Sequence, residues 1–154
     1  MNERDQAFES LQNEVSALFR HVRTFVAAHA STVHPDLLPT GYYLLSWLNG
    51  HGPVRAAVLV DTFQTDKGAV SRQIHHLDDL GLIERKPDPT DGRATLLAVT
   101  AEGKERLATA DSERRAWMED RMADWHTDDL AAFAAAFARY NEAISELPNP
   151  RIAP

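Results

Sequence analysis

The sequence predicts a mainly α-helical chain with one small β-hairpin, and three observations carry that expectation. Apolar residues recur at spacings of three and four near both ends of the chain. Between them, short helical segments are separated by breaks containing Pro and Gly. Two β-prone runs, "LIERKP" and "RATLLAVT", flank the turn-rich stretch "DPTDG".

Taken in order, Phe8, Leu11, Val15, Leu18, Val22 and Phe25, with Phe19 and Val26 beside them, place one apolar stripe on a helix over about residues 5–29. "STVHPDLLPT" ends it, and "GYYLLSWLN" forms a short apolar helix that stops at "GHGP". Pro53 suits a first helical turn, so "PVRAAVLVDTF" reads as the next helix. Asp66 is the expected N-cap of a fourth helix, whose narrow stripe is Val70, Ile74 and Leu77, and Gly81 stands where a left-handed C-cap residue belongs. After the hairpin, Thr100 caps a long polar helix running to about His126. "TDDL" then caps a last helix, in which Leu130, Phe133, Phe137, Tyr140, Ile144 and Leu147 form a coiled-coil-like seam.

Composition narrows the function classes. The 154 residues suit a single domain over 1–154, of a size that buries roughly 68–70% of its unfolded surface. The absence of cysteine excludes disulfides, thiolate metal sites and thiol-based sensing. No apolar run approaches a membrane span, and the start "MNERDQAFES" is too polar for a secretion signal, so a cytoplasmic protein is expected. The net charge of -7 argues against wholesale nucleic-acid binding, yet partners respond to local fields. From Arg55 to Arg106 the balance is eight basic residues against nine acidic, close to neutral.

The fourth helix carries the chemistry. At 100° per residue, Val70, Ile74, Leu77 and Gly81 cluster on one side, while Gly68, Ala69, Arg72, His76 and Asp79 face the other and His75 sits at the edge. A face that is small at its N-terminal end and then carries Arg72 and His76 suits insertion in a DNA major groove. His75 and His76 make no metal pair, because neighbours on a helix diverge by 100° and no third ligand follows. The preceding helix, the short "QTD" connection and this capped helix have a helix-turn-helix layout. A hairpin tipped by Arg93 follows at once. Arg93 is expected to enter a minor groove, with Asp91 accepting from its guanidinium and Gly92 freeing the turn. A nucleophile–base set, a phosphate loop and H-E-x-x-H spacing are all missing, so no enzyme, cofactor or metal is expected.

Residues 54–107, above all "DKGAVSRQIHHLDDLGLIERKPDPTDGRATLLAVTAEGKERL", resemble the MarR family of winged-helix regulators. Val70, Ser71 and Arg72 match its Val-Ser/Thr-Arg core, and "LDDLGLIERKPDPTDGR" follows its Leu-x-x-x-Gly-Leu-Val and Asp-Pro-x-Asp-x-Arg wing. The ending "VTAEGKERL" is matched too, whereas "LVDTFQTD" fits loosely, with Gln64 in place of the turn glycine and Thr65 in place of an apolar turn residue. The resemblance implies a winged helix-turn-helix over about 38–100, with helical dimerisation regions at about 5–30 and 101–147. It implies that Lys67, Ser71, Arg72 and His76 face double-stranded DNA, with Arg85 and Arg93 as wing contacts. It also implies a homodimer reading a pseudo-palindromic operator, commonly as a repressor relieved by a small ligand.

The seam Leu130, Phe133, Phe137, Tyr140 and Ile144 is the expected dimer interface, because it follows a complete domain with little left to cover it. His21, Tyr42, Tyr43 and Trp47 are the candidates for an effector pocket taking a small aromatic or phenolic compound. The competing expectation is a winged-helix module that binds protein and not DNA, which the acidic balance permits.

Overall fold

A computed structural model describes residues 2–145, and it divides the chain into two compact units, residues 1–114 and 115–154. The element order is α1 (Glu3–Val33), α2 (Pro39–His51), β1 (Val54–Arg55), α3 (Ala56–Phe63), α4 (Lys67–Asp79), β2 (Ile83–Asp88), β3 (Asp91–Val99), α5 (Ala101–Arg121) and α6 (Thr127–Ser145). The expected mainly helical fold with a small β wing is therefore present. Leu147, placed by its spacing at the end of the seam, lies outside the described residues.

Local chemistry sets most boundaries. Asn2 and Asp5 form a reciprocal capping box at the start of α1, and Pro39 occupies the first turn of α2, where its missing N–H costs nothing. Asp66 caps α4 by accepting from the Ala69 N–H at 3.0 Å. At the far end Gly81 adopts φ 69°, and the Gly81 and Leu82 N–H groups return to Asp78 and Leu77 in a Schellman motif. Thr100 joins two elements: its hydroxyl donates to the Gly81 carbonyl at 2.8 Å and accepts from the Gly103 N–H at 2.9 Å. The polar helix stops at Arg121, short of the expected His126, and α6 begins at Thr127, with the His126 carbonyl accepting its first helical bond.

The expected helical start at Pro53 is not observed. Gly52, at φ 72°, redirects the chain, and Val54 and Arg55 instead pair with Leu97 and Leu96 as a third strand. The sheet is antiparallel in the order β1-β3-β2. Edge coverage of β3 and packing of Val54 against the core replace one extra helical turn. The wing's turn also differs from expectation: Pro89 and Thr90 form it, while Gly92 lies within β3 with no positive φ.

The core of the first unit gathers Val26, Ala30 and Val33 of α1, Leu44, Leu45 and Leu48 of α2, Leu59 of α3, the α4 stripe, and Leu82, Ile83, Leu97 and Val99 around the sheet. Each fully buried aliphatic side chain of this kind contributes about 1.5–3 kcal/mol. Only the C-terminal end of the α1 stripe takes part. Phe8, Leu11, Leu18 and Phe19 remain exposed. In α6, which has no buried residue, the rings of Phe133, Phe137 and Tyr140 stack at 5.8 and 6.3 Å between centroids.

Two backbone positions give direct tests. Gln64 ends α3 at φ 44° and ψ 39°, the sole non-glycine residue with positive φ among those described. Gln64→Gly should raise stability by up to about 1 kcal/mol, since a left-handed conformation costs a side-chain-bearing residue about 1–2 kcal/mol and glycine gives part of that back in unfolded-state entropy. A Cβ on Gly103 would sit 2.5 Å from the Leu82 carbonyl oxygen and 2.9 Å from Val99 Cγ1. Gly103→Ala should therefore cost about 1–3 kcal/mol, and thermal melts of both variants check the two signs.

Candidate nucleic-acid interface

Three buried side chains orient α4. Val70, Ile74 and Leu77 are sunk in the core, so the opposite side of the helix faces outward. Arg72 is exposed on that side, as its place on the helix led one to expect, and Lys67 at the helix start and Ser71 on its flank are exposed too. Gly68 lies under the Arg72 guanidinium, and a Cβ at that position would meet Arg72 Nη1 at 3.4 Å and Asp66 Oδ2 at 2.9 Å. Ser71 and Lys67 also line a groove of roughly 620 Å3 shared with Ala56 and Ala57 of α3 and Arg85 of β2.

His76 departs from expectation. It is half-buried, and its Nε2–H donates to the Asp36 carbonyl at 2.9 Å. The connection between α1 and α2 passes on that flank of α4 and claims the ring, while His75, placed at the edge by the helical wheel, is exposed.

The wing is organised around an acid that no sequence motif singles out. Asp88, 8% exposed, is the buried charged residue among those described. Its Oδ1 accepts from the Thr90 N–H at 2.8 Å and the Thr90 hydroxyl at 2.6 Å. Its Oδ2 accepts from Arg55 Nε at 2.9 Å and Nη2 at 2.6 Å. Those Thr90 bonds first, and then Arg55, pull the Asp88 carboxyl down to about 2, while Asp88 in turn raises the Arg55 guanidinium. A strand register shift at Pro87/Asp88 directs this carboxylate inward. The one available signal was "DPT", an Asp two residues before a Thr, which favours an Asx-type turn.

Asp91 does not grip the Arg93 guanidinium. Its Oδ1 accepts from the Arg93 backbone N–H at 3.1 Å, and its Oδ2 lies 3.5 Å from Arg55 Nη2. The bond two residues on shapes the strand, and the nearest cation is Arg55. Arg93 is exposed and its guanidinium has no partner among the described residues, whereas Arg85 is paired with Asp78 at 3.1 Å and Lys86 with Glu84 at 2.8 Å. Arg85 is thus half-engaged by a surface ion pair of the kind worth little in water.

The four candidate effector residues are not brought round one cavity. Tyr42 is buried in the core, Trp47 stacks on His51 at 4.0 Å and meets Phe63 edge-on, and His21 is exposed on α1. Neighbouring helix positions such as Tyr42 and Tyr43 diverge by about 100°, which separates the set. Tyr43 lines two clefts: one of roughly 730 Å3 with Arg20, Arg23, Thr24 and Pro39, and one of roughly 410 Å3 with Leu44, Phe63 and Gln73.

A helix-turn-helix with an exposed basic face and a hairpin ending in a free arginine define a winged-helix DNA-binding regulator. The comparisons with known proteins agree. The MarR family profile matches residues 36–94. The chain is 34% identical over 109 residues to the uncharacterized HTH-type transcriptional regulator YxaD of Bacillus subtilis (strain 168), covering 71% of this chain and 76% of that one. Its fold is that of Rv1404 from Mycobacterium tuberculosis (TM-score 0.74, 22% identity, 97% of this chain and 99% of that chain). It is also that of Streptococcus pneumoniae FabT, solved in complex with DNA (TM-score 0.75, 14% identity, 92% and 99%). The chain belongs to the MarR family. It is a transcriptional regulator with a DNA-binding fold, as its relatives are, and not an enzyme. Among the described residues no helix is long and apolar enough to cross a membrane.

The Asp88 geometry sets a pH dependence. A carboxyl held below its ordinary value adds stability at neutral pH, which is lost as pH falls from about 4 through about 2. A side-chain NMR titration should place the Asp88 midpoint near 2, and a midpoint near 4 would remove Arg55 and Thr90 from its environment.

Proposed function

We propose that the protein works as a homodimeric repressor on a pseudo-palindromic operator, with α4 of each protomer in the major groove and the wing in the adjacent minor groove. The carrying observation is which cations of residues 54–99 stay unpaired. Lys67, Arg72 and Arg93 are exposed and without ion-pair partners among the described residues, while Arg55, Arg85 and Lys86 are tied to carboxylates. In a chain of net charge -7, free positive charge on α4 and at the hairpin tip fits a phosphate-lined duplex. The fold shared with FabT, solved on DNA, supports the same docking. Lys67 and Ser71 then meet phosphates or base edges, Arg72 reads bases, and Arg93 enters the narrow groove. Arg85 joins them by releasing Asp78, and His76 acts by holding α4 to the α1–α2 connection.

Dimerisation is supported by exposed apolar surface at both ends of the chain: Phe8, Leu11, Leu18 and Phe19 on α1, and Leu130, Phe133 and Phe137 on α6. Tyr140 and Ile144 continue the α6 seam. Two protomers supply recognition helices for half-sites about 34–36 Å apart, which one protomer cannot do. The effector reading is supported by the cleft holding Tyr43, Arg20 and Arg23, whose ring and cations suit a small acidic aromatic or phenolic compound. Binding there lowers operator affinity by favouring a different placement of α4.

Selection of bound fragments from random duplexes, followed by gel-shift titration, tests the DNA reading. Arg93→Ala should weaken operator binding by about 1–3 kcal/mol with the dimer intact, and unchanged affinity would remove the wing from the interface. Arg72→Ala should lose a similar amount and also flatten base preference at one position of each half-site. Phe137→Glu should yield monomers in light scattering, and a persistent dimer would displace the α6 seam from the interface.

A further inference from the structure

Arg55 stands outside the exposed basic face, yet it touches both parts of the reading apparatus. It lies in β1 opposite Leu96 of β3, and it is also the residue from which α3, the first helix of the helix-turn-helix, departs. Its guanidinium reaches 33 residues along the chain to the wing. There it gives two hydrogen bonds to Asp88 Oδ2 and approaches Asp91 Oδ2 at 3.5 Å. Beyond the register shift at Pro87/Asp88, the Asp88–Asp91 pairing, the terminal turn and this link hold the tip among the described residues. The other Asp88 oxygen fixes Thr90, and Asp91 fixes the backbone of Arg93. Arg55 thus reaches the Arg93 backbone through Asp91, by a long 3.5 Å contact and then a 3.1 Å hydrogen bond.

We propose that Arg55 is a positioning residue for Arg93. It holds the wing tip at a fixed offset from the helix-turn-helix and balances the charge of two carboxylates, the buried Asp88 and the exposed Asp91, next to the proposed duplex contact. Its Nε and Nη2 donors are engaged by Asp88 and Asp91, so it acts through the tip and not as a reader of bases. The assignment rests on the reading of the wing as a DNA contact. Without Arg55, Asp88 Oδ2 loses both of its described hydrogen-bond donors, and the cation that balances Asp91 goes with it.

A double-mutant cycle on the full-length dimer tests this, with operator titrations of the wild type, Arg55→Ala, Arg93→Ala and the double variant at one salt concentration. Arg55→Ala should weaken binding about tenfold in the wild-type background. In the Arg93→Ala background it should do so by no more than about twofold, the usual spread for uncoupled sites. Equal losses in both backgrounds would show that Arg55 acts on global stability or elsewhere in the interface, and the proposal would fall. Hydrogen exchange on the DNA-free dimer supplies a second readout: the Thr90 amide should exchange faster in Arg55→Ala while amides of Leu45 and Leu77 keep their protection. Unchanged Thr90 exchange also overturns the proposal. If Arg55→Ala does not fold, Asp88→Asn cuts the same link from the other side and must show the same lack of additivity with Arg93→Ala. Wild-type protein that binds no duplex at low salt would instead defeat the DNA reading itself, which separates the two failures.

Discussion

The packing of one narrow stripe on α4 decides what the rest of the molecule presents. Val70, Ile74 and Leu77 sink into the core, and Lys67, Ser71, Arg72, His75 and Asp79 are the α4 residues left exposed. The Asp66 cap fixes where the helix begins, and the Schellman turn at Gly81 fixes where it ends and sends the chain into β2. Rotation, start and end are then all determined. Lys67, Ser71 and Arg72 are left exposed by that packing. The sheet inherits its position from the same packing, because Leu82 and Ile83 enter the core immediately after the turn.

Charge is distributed with a division of labour that total charge conceals. Most basic side chains around the wing are neutralised locally, and a few on the surface are not. Asp88 belongs to the neutralised set and shapes the tip. A buried carboxylate with four described hydrogen bonds is well satisfied, and removing one partner would leave it costly to bury. The acidic composition is therefore compatible with a DNA partner, because a duplex responds to cations within a Debye length of about 10 Å more than to the whole chain.

Features that depend on short spacing were legible in the sequence. The α4 stripe, the Asp66 and Thr100 caps, Gly81 and the two wing strands follow from periodicity and capping chemistry acting within a few residues. The unusual turn at Gln64 was also visible as a missing glycine, and it folds into the left-handed conformation that glycine would have favoured. What remained hidden was long-range. The Arg55–Asp88 pair spans 33 residues and the His76–Asp36 bond spans 40, and no local pattern encodes either. Hence local pattern alone turns His76 outward, assigns Asp91 to an arginine side chain and starts a helix at Pro53, whereas β1 is set by its partner strand. The scattered fate of His21, Tyr42, Tyr43 and Trp47 has the same origin: aromatic content marks candidates for a pocket, but only tertiary packing gathers or disperses them.

The salt dependence of binding to one selected duplex tests the central claim most directly, because it counts the protein cations that displace counterions from DNA. Three free cations on each of two protomers, joined by Arg85, should lower affinity by about 10³- to 10⁴-fold between 50 and 200 mM salt, with one dimer bound per operator. An affinity that stays flat across that range, or a duplex saturated by single protomers, would contradict the account.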